Sequence, residues 1–159
     1  MIYLQIGDIV LVKGQNSLSR VIEDIEDSIY SHAAGIVKEN EIIEVVLFEK
    51  TSYESLDSYK GYTDIFTCDI LTNEQRDGIV KYAENQLGSY YDLPLLLWEF
   101  IRYATHMILP YKQIFHSYIC STLWADAYRR VGVDLTPNIK YPSPKDLSES
   151  KLLTKIGSY

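Results

Sequence analysis

The chain has 159 residues, of which 47% are hydrophobic, and a formal net charge of −7 at pH 7. This length is sufficient for one domain with a sizeable core, and the hydrophobic fraction excludes a disordered chain. The negative charge disfavours nucleic acid or an anionic membrane surface as a partner. We therefore expect residues 1–159 to form a single domain.

Two cysteines, Cys68 and Cys120, provide neither a disulfide framework nor a CxxC pair, so a reduced compartment is favoured. Residues 1–5 lack the basic and apolar regions of a signal peptide. The apolar segment 93–109 is short for a membrane span and contains three polar or charged side chains. We expect a cytoplasmic protein without a transmembrane segment, and the sequence indicates no oligomeric state.

The first half of the chain predicts mostly strands. Apolar and β-branched runs indicate strands over residues 7–12, 30–37, 42–48 and 64–70, and the second and third of these form a hairpin. Ser17 is placed to cap a helix over residues 17–26. A tyrosine-rich polar connection covers residues 56–62.

The second half predicts mostly helices. Thr72 and Gln75 form a capping box for a helix that runs to about Leu87 and stops at Gly88. Residues 93–109 are interpreted as a buried or groove-lining helix. A helix follows from Cys120, then a proline-containing loop and a terminal strand over residues 152–156.

The helix that begins at Cys120 carries the chemistry. A buried stripe follows the cysteine at helical spacing, namely Leu123, Trp124, Ala127 and Val131. At a helix N-terminus the unpaired N–H groups and the dipole favour thiolate, which is the form that attacks a carbonyl carbon. The alternative interpretation is that Cys120 is a small buried apolar residue at the start of the stripe.

A nucleophilic cysteine usually needs an imidazole as its base. His106 lies inside the apolar segment. His116 precedes Cys120 by only four residues, and the two could touch only if the helix extended back through His116, which would remove Cys120 from the N-terminus. His32 begins a strand of small residues that a helix can approach closely. His32 is therefore the predicted base, with a structural or surface role as the alternative.

Glu44, the one carboxylate inside the returning strand, is the predicted orienter of His32, or else a solvent-facing strand residue. A two-residue turn at Glu39 and Asn40 would put the two side chains on opposite faces of the hairpin. They face each other only if the turn is centred near Lys38 or the hairpin contains a bulge.

Two further features have a functional and a structural interpretation. The Gly-Ser-Tyr-Tyr-Asp stretch at residues 88–92 either lines a pocket with a tyrosine hydroxyl or forms an ordinary turn. Cys68 is interpreted as structural because nearby acidic residues raise a thiol pKa. The sequence has no zinc-ligand cluster, phosphate loop or dinucleotide fingerprint, so we expect no metal and no cofactor.

Four short motifs occur in a particular order. They are Gly-Asp-Ile-Val-Leu-Val, Tyr-Ser-His-Ala-Ala-Gly-Ile-Val with Glu44 twelve residues after His32, Gly-Ser-Tyr-Tyr-Asp, and Cys-Ser-Thr-Leu-Trp-Ala-Asp-Ala-Tyr. In this order they resemble the circularly permuted branch of the NlpC/P60 papain-like superfamily, the YiiX/YebB-like proteins. The resemblance spans about residues 7–147. It implies an α+β papain-like NlpC/P60 fold of permuted topology, in which the cysteine helix packs on an antiparallel sheet.

The resemblance also implies roles for individual residues. Cys120 matches the nucleophile, His32 the base and Glu44 the third polar residue. Tyr91 matches the tyrosine of the Gly-x-x-Tyr motif, which is thought to lie beside the cysteine. Thr122 departs from the family, because relatives often carry glutamate there, and this puts the polarity of the local pocket in doubt.

These observations predict a cysteine peptidase or amidase. It would cleave an amide (peptide or N-acyl) or ester bond through a thioester intermediate, with a small peptide, amide or acyl-lipid as substrate. The alternatives are a thiol acyltransferase acting on lipids and a non-catalytic lipid- or peptide-binding module. Common-branch relatives cut peptidoglycan peptides, whereas permuted relatives have been linked to lipids. Residues 93–109 are either plain core or the wall of an acyl groove.

Overall fold

The computed structural model of the chain describes residues 2–14, 28–92 and 117–159, together with residues 94, 95, 98, 101, 102, 105 and 106. The predicted helix over residues 17–26 and His116 lie outside the described residues.

The described elements form an α+β structure. In chain order they are β1 (Ile9–Lys13), β2 (Tyr30–Lys38), β3 (Glu41–Glu44), β4 (Ser52–Ser55), a 3₁₀ helix (Leu56–Tyr59), β5 (Thr63–Thr67), α1 (Asn73–Glu84), β6 (Tyr90–Tyr91), β7 (Ser117–Tyr118), α2 (Cys120–Arg130), α3 (Pro144–Ser148) and β8 (Thr154–Ser158). Six strands form one antiparallel sheet in the order β4-β3-β2-β1-β5-β8, and β6 and β7 form a small parallel pair. The predicted α+β class, with the cysteine helix on an antiparallel sheet, is confirmed.

The large sheet is buried on both faces. Because side chains alternate along a strand, neighbouring residues of β1 belong to different clusters. Ile9 and Leu11 pack in the cluster that contains α1 and α2, whereas Val10 and Val12 pack in a second cluster with Ile65. The sheet therefore has one face covered by helices and a second face with its own apolar cluster.

Helix α2 packs closely on β2 because the strand is built from small residues. A Cβ atom at Gly35 would overlap the six-membered ring of Trp124, which is fully buried. The indole N–H of Trp124 donates to the carbonyl oxygen of Ile43 at 3.2 Å, and the hydroxyl of Tyr128 donates to the carbonyl oxygen of Gly7 at 2.7 Å. These contacts fix the position of α2, and thus of its first residue, relative to the sheet.

Helix α1 has the predicted capping box, in which Thr72 and Gln75 satisfy each other's backbone N–H groups. The helix ends at Glu84 rather than near Leu87, and turns connect it to Gly88, whose φ is +80°. The helix packs against α2, and its buried Arg76 donates hydrogen bonds to Asp8, Thr67 and two backbone carbonyl oxygens.

Three expectations about the connections were incomplete. Strand β4 was not predicted because its Ser-Tyr-Glu-Ser sequence has no apolar run, as an edge strand permits. The proline-containing loop contains α3, which Ser143 caps and Pro144 begins. The terminal strand covers Thr154–Ser158, two residues later than predicted, where it pairs with β5.

Asp64 is a buried carboxylate that joins strands of the sheet. It accepts hydrogen bonds from Lys13 of β1 at 3.1 Å, Tyr30 of β2 at 2.7 Å, and Lys155 and Ser158 of β8 at 2.7 and 2.5 Å. Burial alone would raise the pKa of Asp64, but these four donors together hold it well below its usual range.

None of the helices in the described part of the chain is long and apolar enough to cross a membrane.

Candidate active site at the start of helix α2

Cys120 is the first residue of α2, as predicted, and its side chain is 6% exposed. The preceding residue, Ile119, has an extended backbone and occupies the N-cap position. The hydroxyl of Thr122 accepts the backbone N–H of Ile119 and donates to its carbonyl oxygen, both at 3.1 Å. Thr122 thus makes the reciprocal bond that a glutamate often makes at this helix position, so its hydroxyl is used locally rather than left in the pocket.

The N-terminus of α2 differs from those of α1 and α3. Thr72 and Ser143 cap the latter helices with side-chain oxygens, whereas isoleucine has no oxygen to offer. Within the described residues, no side chain caps the first turn of α2. The backbone N–H groups beside Cys120 therefore remain able to bind an anion, such as the oxyanion of an acyl-transfer reaction.

His32 and Glu44 form a short hydrogen bond. The distance from His32 Nε2 to Glu44 Oε2 is 2.7 Å, and the side chains are 17% and 5% exposed. The bond assigns Nε2 to the carboxylate and leaves Nδ1 as the ring nitrogen available to another group.

A bulge in the hairpin makes this contact possible. The turn lies at Glu39 and Asn40, but the register shifts between Ile36 and Lys38, so that Glu44 lies opposite Ala34. Because His32 is two residues from Ala34, its side chain shares a face with Glu44. This is the bulge that the sequence required if the two residues were to meet.

Cys120 and Glu44 both influence the charge state of His32. Burial lowers the pKa of His32, but hydrogen bonding and charge at Cys120, followed by those at Glu44, outweigh it and raise this pKa to about 10. The folded chain therefore brings Cys120, His32 and Glu44 together, and the environment favours a protonated imidazole at neutral pH.

The sequence analysis missed Tyr59. Its hydroxyl donates to Glu44 Oε2 at 2.7 Å, the same oxygen that His32 contacts, and its ring lies 5.9 Å from the imidazole ring, centroid to centroid. Tyr59 lies in the segment interpreted as a polar connection. The chain has fourteen tyrosines, and no spacing distinguishes Tyr59 from Tyr53 or Tyr62 in the same region.

Tyr91 lies on β6, opposite Tyr118 of the neighbouring strand β7, and Tyr118 is two residues before Cys120. Its half-buried side chain packs against the cluster that contains Cys120. This places Tyr91 near the start of α2, and its predicted role toward the sulfur stays a prediction.

Neither of the other described candidates belongs to this site. Cys68 is fully buried in the core. Burial is the main cause that raises the pKa of its thiol, and the carboxylates of Asp69 and Asp8 raise it further. The structural interpretation of Cys68 fits these surroundings. His106 is exposed at the end of the apolar segment, with a φ of +56°.

Apolar residues adjoin the nucleophile. Leu95 is fully buried and clusters with Ile119 and Tyr141, and the ring of Trp98 packs edge-on against Tyr141 at 5.8 Å. Ile101, farther along the same segment, is 37% exposed. Among the described residues of segment 93–109, Leu95 and Trp98 thus pack beside the N-cap of α2, whereas Pro94, Ile101, Thr105 and His106 are exposed.

The described residues contain no group of three or more histidine, cysteine or acidic side chains arranged to hold a metal ion.

No protein-family model matches the sequence, and no curated protein matches it. Among solved structures, the chain is similar to the metalloprotein YiiX from Escherichia coli O157:H7, DUF1105. The TM-score is 0.59 at 19% sequence identity, and the match covers 98% of this chain and 97% of YiiX. At this identity the likeness concerns the fold. The chain therefore has a YiiX-like α+β fold along nearly its whole length.

Proposed function

We propose that this chain is a cysteine hydrolase of the circularly permuted NlpC/P60 papain-like type, which cleaves an amide (peptide or N-acyl) or ester bond. The observation that carries the proposal is the His32–Glu44 pair, bonded at 2.7 Å, in which Cys120 at the start of α2 helps to raise the pKa of the imidazole. The order of the two residues, with the histidine strand before the cysteine helix, is the reason for proposing the permuted branch.

The first half of the proposed reaction forms a thioester. The proton of Cys120 resides on His32, and the thiolate sulfur attacks the substrate's carbonyl carbon while the carbonyl π electrons move to oxygen. The uncapped N–H groups at the start of α2, including that of Cys120, bind the resulting oxyanion. As the tetrahedral intermediate collapses, the bond to the leaving amine or alcohol breaks and His32 supplies that group with a proton.

The second half releases the acyl group. Neutral His32 takes a proton from water, whose oxygen attacks the thioester carbonyl. Collapse expels the thiolate and yields a carboxylic acid, which restores the thiolate–imidazolium pair. Glu44 stabilises the imidazolium in both halves and does not itself exchange a proton.

No step of this reaction uses a metal. YiiX is named a metalloprotein, but in the part of this chain that the structure describes no cluster of potential ligands suits a metal ion. We therefore assign no metal ligands in this chain.

Both cysteines are free thiols, which is compatible with the predicted cytoplasmic location.

A thiol acyltransferase is the second candidate, because it would use the same thioester with an amine or alcohol in place of water. The partly exposed ring of Trp98, which packs on the buried cluster of Leu95, Ile119 and Tyr141 beside the nucleophile, favours an acyl-lipid substrate over a polar one. A non-catalytic lipid- or peptide-binding module would have the same apolar surroundings without a reactive thiol.

Selective alkylation tests the reactive thiol. We expect iodoacetamide at mildly acidic pH to modify Cys120 much faster than Cys68, because thiolate is the reacting form and Cys68 is buried with a raised pKa. Peptide mass spectrometry would follow both sites in one sample, so Cys68 is an internal control. The selectivity should disappear in His32→Ala; equal, slow labelling of both cysteines in the native protein would contradict the proposal and favour a binding module.

Trapping the acyl-enzyme separates the two catalytic candidates. Activated acyl esters would load Cys120, and mass spectrometry would follow the loss of the acyl group with and without added amines. A rate independent of amine supports a hydrolase, whereas strong acceleration with formation of the acyl-amide supports a transferase.

A further inference from the structure

The oxygen Oε2 of Glu44 receives two contacts at 2.7 Å, one with Nε2 of His32 and one from the hydroxyl of Tyr59. Only Tyr59 is a fixed donor of the two, because a ring nitrogen of histidine can either donate or accept. Glu44 Oε2 can accept two hydrogen bonds at once when Glu44 is ionised. This arrangement is therefore most favourable when Glu44 is a carboxylate and His32 Nε2 carries a hydrogen.

Tyr59 is held in place independently of this contact. It ends the short 3₁₀ helix, which Ser55 begins by accepting the backbone N–H of Asp57 and which Leu56 anchors in the core. Its ring packs against the cluster on the second face of the sheet, which includes Ile42. The hydroxyl therefore approaches Glu44 from a rigid support rather than from a mobile side chain.

We propose that Tyr59 is a positioning residue for the catalytic imidazole: by donating to Glu44 Oε2 it fixes this carboxylate so that His32 presents Nε2–H to Glu44 and Nδ1 to Cys120. This inference rests on the proposed function. It adds a fourth residue, which no sequence motif marked, to the group formed by Cys120, His32 and Glu44.

The chemistry requires this orientation of the ring. When neutral, His32 must offer a lone pair to the thiol or to water, so the other ring nitrogen must carry the hydrogen. A carboxylate that rotates freely would bind either ring nitrogen and admit both tautomers. The Tyr59 hydroxyl restricts that rotation, and it stays protonated because burial first, and then the neighbouring Glu44 charge, raise its pKa far above the usual range.

The test compares Tyr59→Phe, which removes one oxygen, with Tyr62→Phe, which removes the same atom from an exposed tyrosine three residues away. The first readout is the rate of Cys120 alkylation by iodoacetamide at mildly acidic pH. We expect Tyr59→Phe to slow it roughly 10-fold, the loss typical of one hydrogen bond to a charged group, and Tyr62→Phe to leave it unchanged. Both variants should retain the unfolding midpoint of the native protein within a few degrees.

The second readout is a double-mutant cycle with Glu44→Ala. If Tyr59 acts through Glu44, then Tyr59→Phe slows alkylation no further once Glu44 is absent. The third readout is the pH at which the rate constant for alkylation by iodoacetate falls in alkaline solution. Iodoacetate is an anion that the imidazolium attracts, so this rate constant falls when His32 loses its proton. The pH of this fall should be lower in Tyr59→Phe, because a carboxylate that is no longer held stabilises the imidazolium less, and it should not move in Tyr62→Phe.

The inference is overturned if Tyr59→Phe behaves as Tyr62→Phe does, or if its effect and that of Glu44→Ala simply multiply. Failure of the proposed function has a different signature, since His32→Ala would then leave the alkylation of Cys120 unchanged. A chain in which His32→Ala abolishes selective alkylation but Tyr59→Phe does not would retain the hydrolase proposal and lose only the role of Tyr59.

Discussion

The imidazole of His32 lies between two groups that both favour its protonated form. Glu44 binds Nε2 at 2.7 Å, and Cys120 adds to the effect of Glu44 in raising the pKa of the ring. Burial works against the charged form but is outweighed, and the pKa of His32 rises to about 10. An imidazolium that persists through neutral pH is the expected partner of a thiolate nucleophile.

The rate constant for alkylation of Cys120 by iodoacetate should therefore stay high up to an unusually alkaline pH. The imidazolium attracts this anionic reagent, so the rate constant should stay high at neutral pH and fall as the pH rises through about 10, where His32 loses its proton. Neutral iodoacetamide is the control and should show no comparable fall. A decline centred near 6.5, the ordinary pKa of histidine, would show that His32 is not held in its charged form.

Much of the site could be predicted at the scale of residues. Cys120 was identified by its place at the head of an apolar stripe, and His32 by eliminating the other two histidines, since both signals are local. Glu44 depended on a bulge whose position the turn residues do not encode. Tyr59 could not be predicted, because its contact with Glu44 arises when β4 and the 3₁₀ helix fold back over the sheet.

At the scale of elements, the contact between α2 and β2 controls the site. Gly35 lies beneath the indole of Trp124, and the indole N–H is bonded to β3 through the carbonyl oxygen of Ile43. The same helix carries Cys120 and the same hairpin carries His32 and Glu44, so the packing that stabilises the core also sets the spacing of the reactive groups.

We expect Gly35→Ala to lower the free energy of unfolding by about 1–3 kcal/mol, the usual cost of overpacking a core, since the new methyl group overlaps the ring of Trp124. Urea denaturation would measure this change. In a Trp124→Leu background, where the ring is absent, the same substitution should cost much less. An equal cost in both backgrounds would mean that crowding against the indole is not the cause.

Elements with strong local signals were predicted better than those defined by pairing. The capping box of α1 and the stripe of α2 are encoded within a few residues, and both helices begin where expected. Strand β4 is polar and exists through its pairing with β3. Strands β6 and β7 have two residues each, too few for any periodicity to appear.

For the whole molecule, the similarity to YiiX extends over nearly the full length of both chains. A shared arrangement of this extent at 19% identity indicates that the fold depends on the pattern of burial more than on particular residues. In this chain Asp64 is a buried polar link between strands, because its four hydrogen-bond donors come from β1, β2 and β8.

Asp64→Asn should lower the free energy of unfolding at pH 7 by roughly 1.5–3 kcal/mol, the usual worth of hydrogen bonds to a charged group, because Lys13 and Lys155 are partly exposed and would be solvated after the change. Because the pKa of Asp64 is lowered in the folded state, its contribution is complete above about pH 4, the unfolded value, and is lost as the pH falls further. The difference between native protein and variant should therefore narrow below pH 4 in urea denaturation. Exposed Asp69→Asn is the control; a difference that is as large at pH 2–3 as at pH 7 would contradict this account.

The bulge at Val37 has a consequence for how this hairpin can change over time. A one-residue deletion that leaves the bulge in place would turn the carboxylate to the opposite side of the sheet, whereas deletion of Val37 itself would remove the bulge and keep His32 and Glu44 on one face. An odd change in the length of this interval must therefore be matched by the loss or gain of a bulge. Distant homologues should show either the same parity with the bulge or the opposite parity without it, even where few of the amino acids survive.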